Sequence, residues 1–301
     1  EVNCNMNKFK GTGVALITPF NENGKVDFSG LQKLVDFQIK NDTNYLVVQG
    51  TTAESATLSE EEKTAIIEYI LEINSKRIPV VLGVGGNNTK EVAKKIDFFS
   101  SYKIDGFLSV SPYYNKPTQM GLIEHYKVIS SATDLPILLY NVPGRTSSNI
   151  SSVTTLKLAN EISNIVGIKE ASGNMEQIMN LIANKPEDFL VISGDDALTL
   201  PHIAVGGDGV ISVVANAFPK RFSEMVTWAL NGNLELARQK HYELLEIIHY
   251  LFKDGNPAGI KYILKLINLC SDKVRLPLVN VSPSTASKLY ELVAGIDDTL
   301  V

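Results

Sequence analysis

Cysteine is scarce in this 301-residue chain: Cys4 and Cys270 are the two present, and neither belongs to a CxxC pair or a Cys/His cluster. A disulfide framework and a thiolate metal site are therefore not expected, and no metal is assigned. Basic runs are missing as well. Lys+Arg 28 against Asp+Glu 33 gives a net charge of −5, and no cluster of lysines or arginines could follow a line of phosphates. That argues against a nucleic-acid partner. No apolar stretch reaches membrane-spanning length, and the start EVNCNMNKFKG lacks the apolar core of a signal peptide. These absences predict a cytoplasmic protein with no membrane partner, with Met6 a candidate natural start and residues 1–5 an addition.

What is present is an alternation. Apolar runs at Gly13–Phe20, Tyr45–Gly50, Pro79–Gly85, Gly106–Ser111, Ile137–Val142, Ile165–Ala171, Phe189–Gly194 and Val210–Asn216 are each followed by a helical pattern. Val92, Ala93, Ile96 and Phe99 mark one amphipathic stripe, and Ile66, Ile70 and Ile73 another. Ser59-Glu60-Glu61-Glu62 has the form of a capping box, which makes the acidic run a helix start. Eight strand–helix units in about 230 residues predict an α/β fold, a (β/α)8 TIM barrel. An open dinucleotide-binding sheet would need a phosphate-cradling glycine loop. Gly83-Val84-Gly85-Gly86 comes nearest, but Asn88 occupies the third required position. After Asn231-Gly232-Asn233 the alternation stops, and Leu234–Phe252, Gly259–Leu269 and Ser284–Val293 have helical patterns. The expected organisation is a catalytic barrel over residues 6–232 and a C-terminal helical appendage over 233–301.

In such a barrel the chemistry sits where strands end and βα loops begin. The sixth strand ends in Lys169, with Ile165, Gly167, Lys169 and Ala171 expected on one face and Val166 and Ile168 on the other. Lys169 then points into the barrel mouth with Gly167 leaving space beneath it. A partly desolvated lysine has a lowered pKa, and its neutral amine can attack a carbonyl to form a Schiff base. Bringing half the population neutral at pH 7 takes roughly 4–5 kcal/mol of differential solvation and charge effects. Taken alone, a strand-end lysine is more often a snorkelling or ion-paired side chain.

Its neighbours raise the case. Tyr140, at the end of the fifth strand, supplies a phenol that can donate and accept protons. Thr51 offers a hydroxyl, and the Thr51 and Thr52 amides follow a glycine, a setting suited to gripping a carboxylate. Arg145 has a planar fork for a second carboxylate.

GTTAES, SPYYNKP, YNVPGRT, GIKEASGN, SGDD and GVISVVAN occur in that order. From about Lys8 onward the chain closely resembles the dihydrodipicolinate synthase family. That family lies within the pyruvate-dependent class I aldolases that also include N-acetylneuraminate lyase. The resemblance implies that Lys169 forms a Schiff base with pyruvate and that Tyr140 relays protons together with Thr51 and Tyr114. It also implies that Tyr114 reaches across a subunit interface. Thr51 and Thr52 would hold the pyruvate carboxylate, with the backbone around Gly194 and Ile211 shaping that pocket. Arg145 would bind the carboxylate of L-aspartate-4-semialdehyde. The implied reaction condenses the two substrates to 4-hydroxy-tetrahydrodipicolinate, in lysine and diaminopimelate biosynthesis, without cofactor or metal. The implied assembly is a homotetramer built from two tight dimers. A related aldolase or lyase, such as N-acetylneuraminate lyase, ranks second, since Thr51 and Arg145 favour the synthases.

Ser55, Ala56, Asn87, Glu91 and Tyr113 match the pocket through which lysine inhibits many members of that family. Glu60 and Lys63 stand where lysine-sensitive members commonly carry histidines, and an ammonium at Lys63 disfavours a cationic effector. His125, His202, His241 and His249 are scattered and expected in packing or surface roles, Cys270 is expected as a small hydrophobe, and Asp195-Asp196 as polar rim residues. A barrel kept only as a scaffold would have lost Lys169, Tyr140 or Arg145, and all three are present. A phosphate-binding barrel is disfavoured because Gly206-Gly207-Asp208-Gly209 precedes the eighth strand, at the wrong end.

Overall fold

Residues 6–296 are described by a computed structural model; Cys4, the segment 1–5 and the last five positions of the expected appendage lie outside the described residues. The strands are β1 (Gly11–Ala15), β2 (Tyr45–Val48), β3 (Val80–Gly83), β4 (Gly106–Val110), β5 (Ile137–Asn141), β6 (Ile165–Glu170), β7 (Leu190–Ser193) and β8 (Gly209–Ser212). Neighbours pair in parallel, and β8 returns to β1 to close the barrel. Every apolar run supplies one strand, and every strand stops short of its run. The last residues of each run leave the sheet to build the barrel mouth.

The outer layer consists of α1 (Phe28–Lys40), α2 (Glu60–Asn74), α3 (Thr89–Ser100), α4 (Gln119–Ser130), α6 (Ser152–Glu161), α7 (Met175–Asn184), α8 (Thr199–Ala204) and α9 (Pro219–Leu230). A single extra turn, α5 (Pro143–Thr146), sits between β5 and α6. The starts of these helices follow from local chemistry. Ser59 accepts from the Glu62 amide while Glu62 reaches back to the Ser59 amide, completing the predicted capping box. Asp27, Thr118, Ser151 and Asn174 cap α1, α4, α6 and α7 by accepting from the amides of Gly30, Gly121, Thr154 and Gln177. Each such cap contributes about 0.5–2 kcal/mol.

Strands of a parallel barrel are covered on both faces, which explains continuous apolar runs in place of alternation. Leu46, Val47, Leu82, Phe107, Leu139, Ile168 and Val191 are fully buried. Burying a side chain of that size stabilises by about 1.5–3 kcal/mol relative to leaving it in water. One strand departs from the expected pleat: β5 pairs Ile137 with Ile165 and Leu138 with Gly167, so the register skips Val166. Strict alternation in β6 therefore begins at Gly167. Beyond α9 come α10 (Leu234–Lys253), α11 (Ala258–Leu266) and α12 (Pro283–Ala294), with α10 packed against α9, α11 and α12. The Gly206–Gly209 segment lies at the opposite end of the barrel from the mouth. There the Asp208 carboxylate accepts from the Val191 amide at 2.9 Å. No described helix is long and apolar enough to cross a membrane.

Candidate active site

The β5–β6 register sets Tyr140 directly beside Lys169. Lys169 is only 6% exposed, and its Nζ lies 4.3 Å from the centroid of the Tyr140 ring. Among the described residues its ammonium makes no hydrogen bond and no ion pair, so the ring face is its one polar companion. The Lys169 stem runs against the bare backbone of Gly194, just past the end of β7. A Cβ at Gly194 would lie 3.0 Å from Lys169 Cε and 2.7 Å from the Ala171 Cβ. Glycine at 194 thus fits a close approach that Ala171 limits first and the lysine stem second. Gly167 has a different reason than expected. A Cβ there would lie 2.7 Å from the Leu190 carbonyl oxygen and 3.0 Å from Leu138 Cδ2. The place beneath Lys169 is filled by packing, not left as space.

A cavity of about 600 Å³ opens beside the pair, its wall including Thr51, Tyr113, Tyr140 and Arg145. Lys169 is not part of that wall and is joined to it through Tyr140. The Tyr140 hydroxyl has no hydrogen-bond partner among the described residues and is available to whatever enters. Thr51 and Thr52 head a 3-10 turn, Thr51–Ala53, whose first two amides have no partner among the described residues. Only Thr51 exposes its side chain. The Thr52 hydroxyl is buried and accepts from Asn256 Nδ2 at 2.9 Å. Arg145, in α5, is exposed and forms no ion pair among the described residues. Ile211 is buried in β8, paired with Gly13, two strands on from Lys169.

Tyr114 stands apart from this cluster. It is 89% exposed, with a left-handed φ of 72°, and does not belong to the cavity wall. Its loop is pinned by Asn115 Nδ2 donating to the Asn87 carbonyl at 2.9 Å and Asn87 Nδ2 donating to the Tyr113 carbonyl at 3.0 Å. Gln49, Glu54, Lys116 and Ser147 also have positive φ, and all lie on loops of the mouth. Such backbone costs of order 1–3 kcal/mol per residue and persists where surroundings over-determine it.

Of the effector-pocket candidates, Ser55, Ala56 and Tyr113 line the same cavity, whereas Glu91 pairs with Lys94 at 3.0 Å and Asn87 is engaged in the loop. Glu60 Oε1 receives both Lys95 and Lys63, each at 2.9 Å. The Lys95 hydrogen bond, ahead of that from Lys63, holds the Glu60 carboxyl below its usual range. Two ammonium groups thus share one carboxylate oxygen, and with the free Arg145 the wall is cationic. That field favours small carboxylates.

Two acidic groups were not legible as they stand. Asp196, expected at the rim, is buried, and its Oδ2 accepts from the Val213 and Val214 amides at 3.0 and 2.8 Å. Burial raises its pKa from 3.8 to about 6 against the pull of those amides. Between about pH 4 and 6 the folded protein therefore binds a proton that the unfolded chain has lost, and stability falls as pH rises through that window. Asp196→Asn is expected to remove roughly 3 kcal/mol of that decline, measured by urea unfolding at pH 4, 5, 6 and 7; an unchanged slope rules the assignment out. Glu170, the neighbour of Lys169, faces the helix layer. Its carboxylate accepts from Asn141 Nδ2 at 3.1 Å, Gln177 Nε2 at 2.9 Å and the Ser172 amide at 2.8 Å, bracing the ends of β5 and β6.

The histidines behave as read. His125, His202 and His241 are buried, and burial pushes His125 down to about 4. Cys270 is half-buried, its thiol pushed up to about 12 by burial. No group of three or more metal-ligating side chains occurs among the described residues.

Fold and site together define a (β/α)8-barrel enzyme whose mouth sets a lysine amine against a phenol beside a cationic cavity. The chain belongs to the dihydrodipicolinate synthetase family, whose model matches residues 8–295. It is 52% identical, over 94% of its length and 96% of the relative's, to the 4-hydroxy-tetrahydrodipicolinate synthase of Parabacteroides distasonis. The crystal structure of dihydrodipicolinate synthase from Aquifex aeolicus superposes with a TM-score of 0.92 at 43% identity, covering 95% of this chain and 97% of that one. The Acinetobacter baumannii dihydrodipicolinate synthase complexed with pyruvate gives 0.93 at 40% identity, covering 96% and 99%.

Proposed function

We propose that this lyase condenses pyruvate with L-aspartate-4-semialdehyde through a Schiff base on Lys169. The observation that carries the reading is the unpaired Lys169 ammonium over the Tyr140 ring, beside a cationic cavity sized for two small carboxylates. After losing a proton, Lys169 Nζ attacks the keto carbon, and the carbinolamine loses water to give an iminium. The iminium is the electron sink: a methyl proton leaves, and the resulting enamine carbon attacks the aldehyde. The semialdehyde's amino group then closes onto the former keto carbon and displaces Lys169, releasing 4-hydroxy-tetrahydrodipicolinate. Tyr140 carries protons at the carbinolamine and aldehyde oxygens, with the Thr51 hydroxyl next in line. The free amides of Thr51 and Thr52 take the pyruvate carboxylate, the backbone at Gly194 and the Ile211 side bound its pocket, and Arg145 takes the semialdehyde's carboxylate.

The exposure of Tyr114 supports its role as a residue lent to a neighbouring subunit's relay, hence a homo-oligomer, and we assign the tetramer on the same ground. A cytoplasmic location accords with a chain whose described helices cross no membrane. We assign residues 6–232 as the catalytic unit and 233–301 as its appendage. The Glu60–Lys63–Lys95 cluster supports weak response to a cationic effector at Ser55, Ala56, Asn87, Glu91 and Tyr113. N-acetylneuraminate cleavage is not favoured by any feature of the site.

The direct test is borohydride reduction with pyruvate followed by peptide mapping. A pyruvate adduct on Lys169 is expected. No adduct, or an adduct confined to another lysine, defeats the mechanism.

A further inference from the structure

Among the described residues, Lys261 is the most deeply buried charged side chain. Its side chain is 0% exposed and pairs at 2.5 Å with Glu54, which is 1% exposed. A buried ion pair is poor value for stability, since an apolar pair of similar shape is often as stable or more so. Its presence points to a demand for geometry. Glu54 closes the Thr51–Ala53 turn in left-handed backbone, φ 54°, a conformation a glutamate adopts only when held.

It is held from several sides. Glu54 Oε2 takes Lys261 Nζ, and Oε1 takes the Arg275 amide at 2.8 Å. Lys261 also donates to the Lys273 carbonyl at 2.8 Å and lies 4.1 Å from the Phe20 ring centroid. The Arg275 guanidinium covers the same ring and forks onto Glu62 at 2.6 and 2.7 Å. Asn256 Nδ2 meets Thr52 Oγ1 within the same turn, and Thr18 Oγ1 donates to the Ala53 carbonyl at 2.8 Å. Asn256, Lys261 and Arg275 all come from the segment beyond α10. The Thr52 hydroxyl, the Ala53 carbonyl and the Glu54 carboxylate are thereby used in anchoring, while the amides of Thr51 and Thr52 have no partner among the described residues.

We propose that the Glu54–Lys261 pair is a positioning device: it fixes the Thr51–Thr52 amides as a preset grip for the carboxylate of the keto-acid substrate, acting from the C-terminal helices. This rests on the functional reading above. It assigns a specific task to α11 and predicts that the two substrates respond differently. Hydrogen bonds from fixed amides to a carboxylate are strong only while their directions are held. The Arg145 grip, on α5 across the mouth, does not share these anchors.

The discriminating variant is the double substitution Glu54→Gln with Lys261→Met, which leaves no buried unpaired charge. It is expected to melt within a few degrees of wild type. Its half-saturating pyruvate, both in turnover and in borohydride trapping on Lys169, is expected to rise about tenfold or more. The KM for the semialdehyde is expected to stay within about twofold, and kcat at saturating pyruvate to be nearly kept. A folded double variant with wild-type pyruvate dependence overturns the proposal. Should the double variant not fold, Glu54→Asp, which shortens the carboxylate arm and parts the pair while leaving the Asn256–Thr52 tie in place, carries the same expectation and the same refutation. Wild-type protein that is not trapped on Lys169 at all defeats the functional reading and the positioning role with it, a result visible before any variant is compared.

Discussion

Lys169→Met is expected to abolish turnover, by about 10⁴-fold or more, without loosening the fold. The variant removes the only group proposed to bond covalently to substrate, and effects of that kind are the largest that single substitutions produce in enzymes. Folding is spared because methionine can follow the same stem path over Gly194 and keep contact with the Tyr140 ring. It also removes a charge that is 6% exposed and has no counter-ion among the described residues. Melting temperature should therefore stay level or rise. Steady-state kinetics with both substrates and a thermal melt check the two halves. Residual turnover above about one per cent of wild type would exclude an obligatory imine at this position.

Arg145→Ala is expected to separate the two half-reactions. Arg145 is exposed, unpaired among the described residues and part of the cavity wall, on a turn distinct from Thr51 and Thr52. Loss of a bidentate grip on a carboxylate should lower kcat/KM for the semialdehyde about 10²-fold or more, equivalent to about 3 kcal/mol. Trapping of pyruvate on Lys169 should change by no more than about twofold. Arg145→Lys should recover a fraction of the loss, since an ammonium keeps the charge but not the fork. Equal damage to pyruvate trapping and to semialdehyde use would instead mean that α5 shapes the whole mouth.

The lysine-centred cluster was readable because barrels place chemistry at strand ends, and strand ends are visible where apolar runs meet polar residues. GIKEASGN, YNVPGRT and GTTAES each put a reactive type at such a junction. The glycines were harder. Gly167 looked like vacant space beneath Lys169, yet Leu138 and Leu190 fill it, because neighbouring strands bring side chains that no local pattern announces. The bulge at Val166 escaped for the same reason: register belongs to two strands at once. Asp196 sits next to Asp195 in the chain, but its carboxylate accepts from the Val213 and Val214 amides just beyond β8, so its burial depends on residues 17 and 18 positions away.

Composition, apolar periodicity and the order of the strand-end residues were enough for the barrel, the helices that follow it and the lysine, phenol, hydroxyl and guanidinium of the mouth. Those properties are local, written in residues that are close in the chain. The pairing of Glu54 with Lys261, of Thr52 with Asn256 and of Glu170 with Asn141 could be had only from the folded molecule. Each joins groups remote in sequence, and each exists because a buried charge or hydroxyl must find its partner across space. Lys169 gained its weight from the strand-end residues around it; what holds the proposed substrate grip was not legible, because its anchors, Asn256 and Lys261, lie some two hundred residues away, beyond α10.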